Sequence, residues 1–377
     1  MRCINDLGNT FSVCGRIAVA ICLLVLAGCS SVYSSKQSEQ SAGISREDLL
    51  TGRALFGREA DSLTLPEDHV LELTPEMKAF LDRYVPKGHK DYVQIRTLMA
   101  AVIGQGTLGM EYNPEATYTA REAFRKAEGN CLGFSFLVTA MARERGVQTV
   151  FQEVDIPPEW SEESENILYA SRHVNVRART NTPFDAIVDI NRINVKSYYP
   201  VRKLSDREAE AHYYSNIGAE YLEKKDMKNA FRYFVKALRL SPAGSEFWSN
   251  LGVFYRLNNL FRHAEQAYFM SLKYDGSNYS AMSNLAILYD HLESYEKAEY
   301  FRKQARNYQM KNPYYRYYMA QDAYNEGRYE DALGHLRMVL AKKIEEPRFY
   351  ALMADTYVAM GEEDKAAEIL GKNSDYR

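Results

Sequence analysis

The stretch "SNIGAEYLEKKDMKNA" (215–230) returns 34 residues later as "SNLGVFYRLNNLFRHA" (249–264) and again as "SNLAILYDHLESYEKA" (283–298). A small residue stands fourth in each copy, at Gly218, Gly252 and Ala286, and the same step continues to Ala320 and Ala354. Twelve positions on, the series runs Ala230, Ala264, Ala298, Ala332 and Ala366. Tyr221, Tyr255, Tyr289 and Tyr357 keep the register, and Ala323 breaks it with Tyr324 alongside. Such a period encodes two amphipathic helices per unit, whose small residues let the pair approach closely. One pair buries too little apolar surface to stand alone, so the units must stack.

The pattern resembles the tetratricopeptide repeat, with about five units over roughly 211–370 in an all-α solenoid domain, 206–377. The resemblance implies a surface that binds a protein or peptide partner. In that family the first helix of each unit lines the concave groove, and here it carries Asn216, Asn250 and Asn284. A ladder of asparagines can hydrogen-bond the main chain of an extended peptide; the other reading makes all three solvated or structural. Trp248 and the tyrosines fall at helix-pairing positions and are expected in the core. Each unit leans on its neighbours, so removing 345–377 is expected to destabilise the fourth unit and to spare the region before the array.

That region, 47–205, reads as mixed α/β. Thr74-Pro75 supplies an N-cap and a first-turn proline for a helix reaching about Tyr84. Thr119 and Glu122 have capping-box spacing for a helix ending near Glu128, and Ser205 and Glu208 repeat it before the array. "EGNCLGFSFLVTAMARERG" (128–146) is nearly all apolar from Leu132, which predicts a central buried helix stopped by Gly146. "VQTVFQEV" (147–154), "RHVNVRA" (172–178) and "FDAIVDI" (184–190) read as strands.

Cys131 opens the buried helix. Free N–H groups and the helix dipole favour a thiolate there, and the same N–H groups can stabilise an oxyanion. A thiolate nucleophile also needs a base and an orienting acid. His173 and Asn175 alternate with Val174 and Val176, so they share one strand face. Centring the hairpin on Asn181 sets His173 directly opposite Asp189, with Cβ atoms about 4.5–5.5 Å apart.

"TAREAFRKAEGNCLGFSFLVTAMARERGVQTVFQEV", followed by "RHVNV" and "IVDIN", is similar to the bacterial transglutaminase-like superfamily of papain-like thiol enzymes, over roughly 95–195. The resemblance implies an α+β papain-like domain with Cys131 as nucleophile, His173 as base and Asp189 as acid. It also implies that Gln152 and Trp160 lie near the oxyanion site and cleft. The chemistry implied is attack on an amide without a cofactor: a protease or amidase if water accepts the acyl group, a transamidase if an amine does. A reading from another class is a non-catalytic binding protein whose triad is vestigial.

Arg2 and Arg16 precede a twelve-residue apolar run, "IAVAICLLVLAG" (17–28), too short for a bilayer and suited to a secretory signal, 1–28. It ends in Leu26-Ala27-Gly28-Cys29, which resembles the lipobox of bacterial lipoproteins and implies a lipid on Cys29. Ser30 and Ser31 then point to the outer membrane, facing the periplasm. Residues 29–46, rich in Ser and Gln, read as a flexible tether. Cys3, Cys14 and Cys22 would leave with the signal, so Cys131 has no cysteine partner. From 47 basic and 50 acidic residues, loss of Arg2, Arg16 and Asp6 leaves 45 and 49, which offers nucleic acid no electrostatic attraction.

Other motifs lack their context. Gly104, Gly106 and Gly109 spell G-x-G-x-x-G, but after an apparent helix and before Asn113-Pro114, where a dinucleotide fingerprint needs a strand and then a helix. The seven histidines have no zinc-ligand spacing. "PPEWSEESE" (157–165) reads as an acidic loop beside the site.

Overall fold

Each capping signal forms the bond its chemistry offers. Thr74 caps a helix over Pro75–Tyr84. Thr119 and Glu122 close a capping box on Ala120–Lys126, as Ser205 and Glu208 do on Asp206–Glu223. The computed structural model describes residues 43–154, 173–190, 199–341 and 346–374.

Up to residue 204 the chain is α+β. Its helices are α1 (Arg46–Thr51), α2 (Arg53–Phe56), α3 (Pro75–Tyr84), α4 (Asp91–Ile103), α5 (Ala120–Lys126) and α6 (Cys131–Glu144). A short parallel bridge joins β1 (Glu111–Tyr112) to β2 (Glu128–Gly129). The main sheet is antiparallel in the order β5 (Ala186–Val188), β4 (His173–Ala178), β3 (Thr149–Val154), β6 (Val201–Leu204). Helix α6 is apolar around its whole circumference because it is buried on all sides, as expected. It packs with Phe151, Val174, Val176 and Val188, which alternate onto one face of the sheet. Gln152, Val154, His173 and Asn175 alternate onto the other face.

The array begins directly after β6. Its helices pair as α7 (Asp206–Glu223) with α8 (Met227–Leu240), α9 (Ser245–Leu257) with α10 (Phe261–Tyr274), and α11 (Tyr279–His291) with α12 (Tyr295–Gln309). They continue as α13 (Pro313–Asn325) with α14 (Tyr329–Leu340) and α15 (Pro347–Ala359) with α16 (Glu363–Ser374). The repeated small residues have a steric cause. A Cβ on Gly218 would lie 2.8 Å from the Phe234 ring, and one on Gly252 2.4 Å from the Tyr268 ring. Trp248, Tyr255, Tyr268 and Tyr289 are buried, as their positions imply.

Two joints bind the array to the α+β part. At the near end, the guanidinium of Arg143 on α6 grips both carboxylate oxygens of Asp206, at 2.5 and 2.9 Å. There α1 also docks on the repeats: Leu49 and Leu50 are buried, and the Tyr255 hydroxyl donates to the Leu49 carbonyl at 2.6 Å. Gly52 follows at φ 72°, against the Phe231 ring. The expected boundary at residue 47 therefore falls inside a helix that packs on the array. At the far end, the hydroxyls of Tyr199 and Tyr314 meet at 2.6 Å. Val154 shares one apolar cluster with Tyr199, Tyr314, Leu333, Leu336 and Phe349. The fourth unit thus touches the α+β part at Tyr199, and the fifth shares the apolar cluster there, so the array end is not independent of the rest. Among the described residues no helix is long and apolar enough to cross a membrane.

Candidate active site

Asn130 decides how α6 begins. Its Oδ1 accepts from the Leu132 and Gly133 N–H groups at 3.1 and 3.0 Å, and its Nδ2 donates to Thr117 Oγ1 at 3.0 Å. Asparagine is among the strongest N-caps because its carbonyl satisfies donors that the helix leaves unpaired. The cap narrows one expectation: these two N–H groups are occupied rather than open to an oxyanion, and Asn130 Oδ1 leaves the Cys131 N–H unengaged. Cys131, half-buried, is the first residue of the helix. One turn on, the fully buried Ser135 donates its hydroxyl to the Cys131 carbonyl at 2.7 Å and lies 3.3 Å from the Val174 carbonyl. It ties the start of α6 to the strand bearing His173.

His173 Nε2 meets Asp189 Oδ2 at 2.6 Å, both side chains being buried. Burial alone would push the imidazole down. Hydrogen bonds to Asp189 and Cys131, with the electrostatic pull of both, outweigh it and raise the ring's pKa from 6.5 to about 9. With Nε2 on the carboxylate, Nδ1 is the nitrogen left for the thiol.

The contact arises in a different register from the expected one. Val176 pairs with Val188, Arg177 with Ile187 and Ala178 with Ala186, so the hairpin centres on Thr182 rather than Asn181. Asp189 then stands level with Asn175, and His173 reaches it on the diagonal. The partner strand is displaced by two residues, which preserves the face. The cause lies in the turn, where the Thr180 and Thr182 hydroxyls both donate to the Phe184 carbonyl, at 2.7 and 2.8 Å.

Gln152 lies on the His173 face, buried, and pairs with Asn175 in the ladder. Asn175 Nδ2 donates to Asp189 Oδ2 at 3.2 Å. Sequence reasoning placed Asn175 on this face without giving it a role. Neither was Ser135 singled out, although a hydroxyl inside an apolar helix was a usable signal. Trp160, the 157–165 loop and Cys29 lie outside the described residues.

In the array, Asn250 Nδ2 donates to Ser215 Oγ at 2.9 Å and Asn284 Nδ2 to the Ser280 carbonyl at 3.0 Å, while Asn216 is exposed. Those bonds favour the structural reading for Asn250 and Asn284. No cluster of three or more His, Cys, Asp or Glu suited to a metal occurs among the described residues.

No curated protein matches the chain. Among solved structures it is similar to YrrB, described as a TPR protein with an unusual peptide-binding site, at 20% identity over 44% of this chain and 85% of that one, TM-score 0.25. It is similar to PilF of Pseudomonas aeruginosa at 17% identity over 45% and 78%, TM-score 0.27. It is likewise similar to MamA of Desulfovibrio magneticus at 16% identity over 45% and 95%, TM-score 0.26. Residues 211–243, which hold most of α7 and all of α8, match the family model of the tetratricopeptide repeat. With the same helical pair recurring at a constant step, the C-terminal region of this chain is an array of tetratricopeptide repeats.

Proposed function

We propose that the chain is a lipid-anchored thiol enzyme of the bacterial cell envelope that cleaves amide bonds, and that its repeats hold a protein partner or the substrate protein. One observation carries this reading: a buried imidazole clasped between Asp189, at 2.6 Å, and the Cys131 thiol. His173 holds its proton at neutral pH, and the Cys131 thiolate paired with that imidazolium attacks the carbonyl carbon of a bound amide. The tetrahedral anion collapses as the imidazolium passes its proton to the leaving amine, and a thioester remains on Cys131. Water, giving its proton to the same imidazole, then opens the thioester and releases the acid; an amine in its place makes the reaction a transamidation. Asp189 orients the ring throughout.

A cysteine at the start of a helix, a histidine on β4 and an aspartate just past the end of β5, in that chain order, support a transglutaminase-like, papain-like domain. Repeats of this kind present extended concave surfaces, which supports a protein or peptide ligand. Anchoring at Cys29 rests on the lipobox resemblance, and Cys29→Ser should abolish lipid labelling.

The capped Leu132 and Gly133 N–H groups favour a second reading, a binding lipoprotein with a vestigial triad. An activity-based thiol probe on the mature protein, with mass spectrometry of trapped acyl-enzyme, separates the two. His173-dependent labelling of Cys131 and an acyl adduct are expected. Slow labelling indifferent to His173→Ala, with function lost on deleting 206–377 alone, would establish the second.

A further inference from the structure

Asn175 is 2% exposed, and its carbonyl oxygen has no hydrogen-bond partner among the described residues. A buried carbonyl left unpaired costs stability, and a leucine of similar size would avoid that cost. The compensating feature is at the other end of the amide. Nδ2 donates at 3.2 Å to Asp189 Oδ2, the oxygen that His173 Nε2 approaches at 2.6 Å. Exchanging the amide's nitrogen and oxygen would set two acceptors against each other, so the carboxylate fixes the orientation. Continuing the β4–β5 register one pair beyond Val176 and Val188 sets Asn175 level with Asp189, whereas His173 must reach it diagonally. The amide N–H on Oδ2 holds that oxygen in reach of the diagonal.

We propose that Asn175 is a positioning residue, acting through Asp189: it locks the carboxylate rotamer so that Oδ2 faces the imidazole, and completes a four-member relay of Cys131, His173, Asp189 and Asn175. The relay rests on the thiol-enzyme reading above. The effect of Asn175 passes through the orientation and charge of Asp189, on which its Nδ2 bears.

The test uses the full chain and needs no substrate. His173 is titrated by its imidazole NMR signals, and Cys131 alkylation by iodoacetamide is followed against pH, for wild type, Asn175→Leu, Asn175→Ser and His173→Ala. Asn175→Leu should fold with undiminished thermal stability, because it removes an orphan oxygen. Its imidazole titration should nevertheless fall by about one pH unit, with alkylation at neutral pH about tenfold slower. Asn175→Ser, which keeps a donor, should recover part of both. Should leucine prevent folding, Asn175→Ala is judged by the same two readouts. A folded variant lacking the donor, with the wild-type titration and alkylation profile, would overturn the proposal. Alkylation that depends on His173 but not on Asn175 would sink the relay alone. Alkylation indifferent to His173→Ala would remove the thiol-enzyme reading beneath it.

Discussion

A histidine held between a carboxylate and a thiol keeps its proton well above the pH at which a free imidazole loses it, and His173, raised to about 9, is such a group. Below about pH 6.5 the ring is protonated in folded and unfolded chains alike, and its contribution to stability is complete. As pH climbs from there through about 9, the folded state loses its extra proton and the contribution fades. Chemical denaturation between pH 6 and 10 should show this declining limb in wild type and a flatter one in His173→Gln; a wild-type profile without it would contradict the assignment. Asp189→Asn should lower the ring's titration, read by NMR, because it withdraws the negative charge at 2.6 Å. Much of this was legible in the residues: alternation set His173 and Asn175 on one face, and the hairpin between the two strands brought Asp189 to it. The register was not, because it depends on two threonine hydroxyls bonding back onto Phe184, which periodicity does not encode.

Elements obey the same division between local and distant causes. The 34-residue step is visible in sequence because small residues recur where paired helices approach closely, and in the first two units each faces a ring from its helical partner, Phe234 for Gly218 and Tyr268 for Gly252. Gly252→Val should therefore overpack the second unit and cost about 1–3 kcal/mol, seen as a lower denaturation midpoint for the array. Asn130→Ala removes the cap of α6 and should cost about 1 kcal/mol, while freeing two N–H groups beside Cys131. Helix α1 has local caps in Ser45, Asp48 and Gly52, but its docking could not have been placed by such reasoning. It is a turn and a half long, and its anchor, Tyr255, lies 206 residues away in the chain. Its two leucines gain about 1.5–3 kcal/mol each from burial on docking, enough to order the short segment where the tether ends and the α+β part begins.

At the scale of the whole molecule, the repeats meet the α+β part twice, through Asp206 and α1 at one end and through Tyr314 at the other, where Phe349 shares an apolar cluster with Val154 of β3. Removing 345–377 should therefore uncover Val154, the ladder partner of His173, and loosen the sheet as well as the fourth unit. Amide exchange in β3 and β4 of the truncated chain is the measurement; unchanged protection there would return the last unit to independence. Tyr314→Ala should produce a milder form of the same loss. A solenoid clamped at one end frays from the other and flexes along its length at little cost. One clamped at both ends behaves as a strung bow. Its small per-unit rotations are summed against a fixed chord, so any ligand that tightens or relaxes the curvature loads the Tyr199–Tyr314 joint and, through Val154, the strand beside the imidazole.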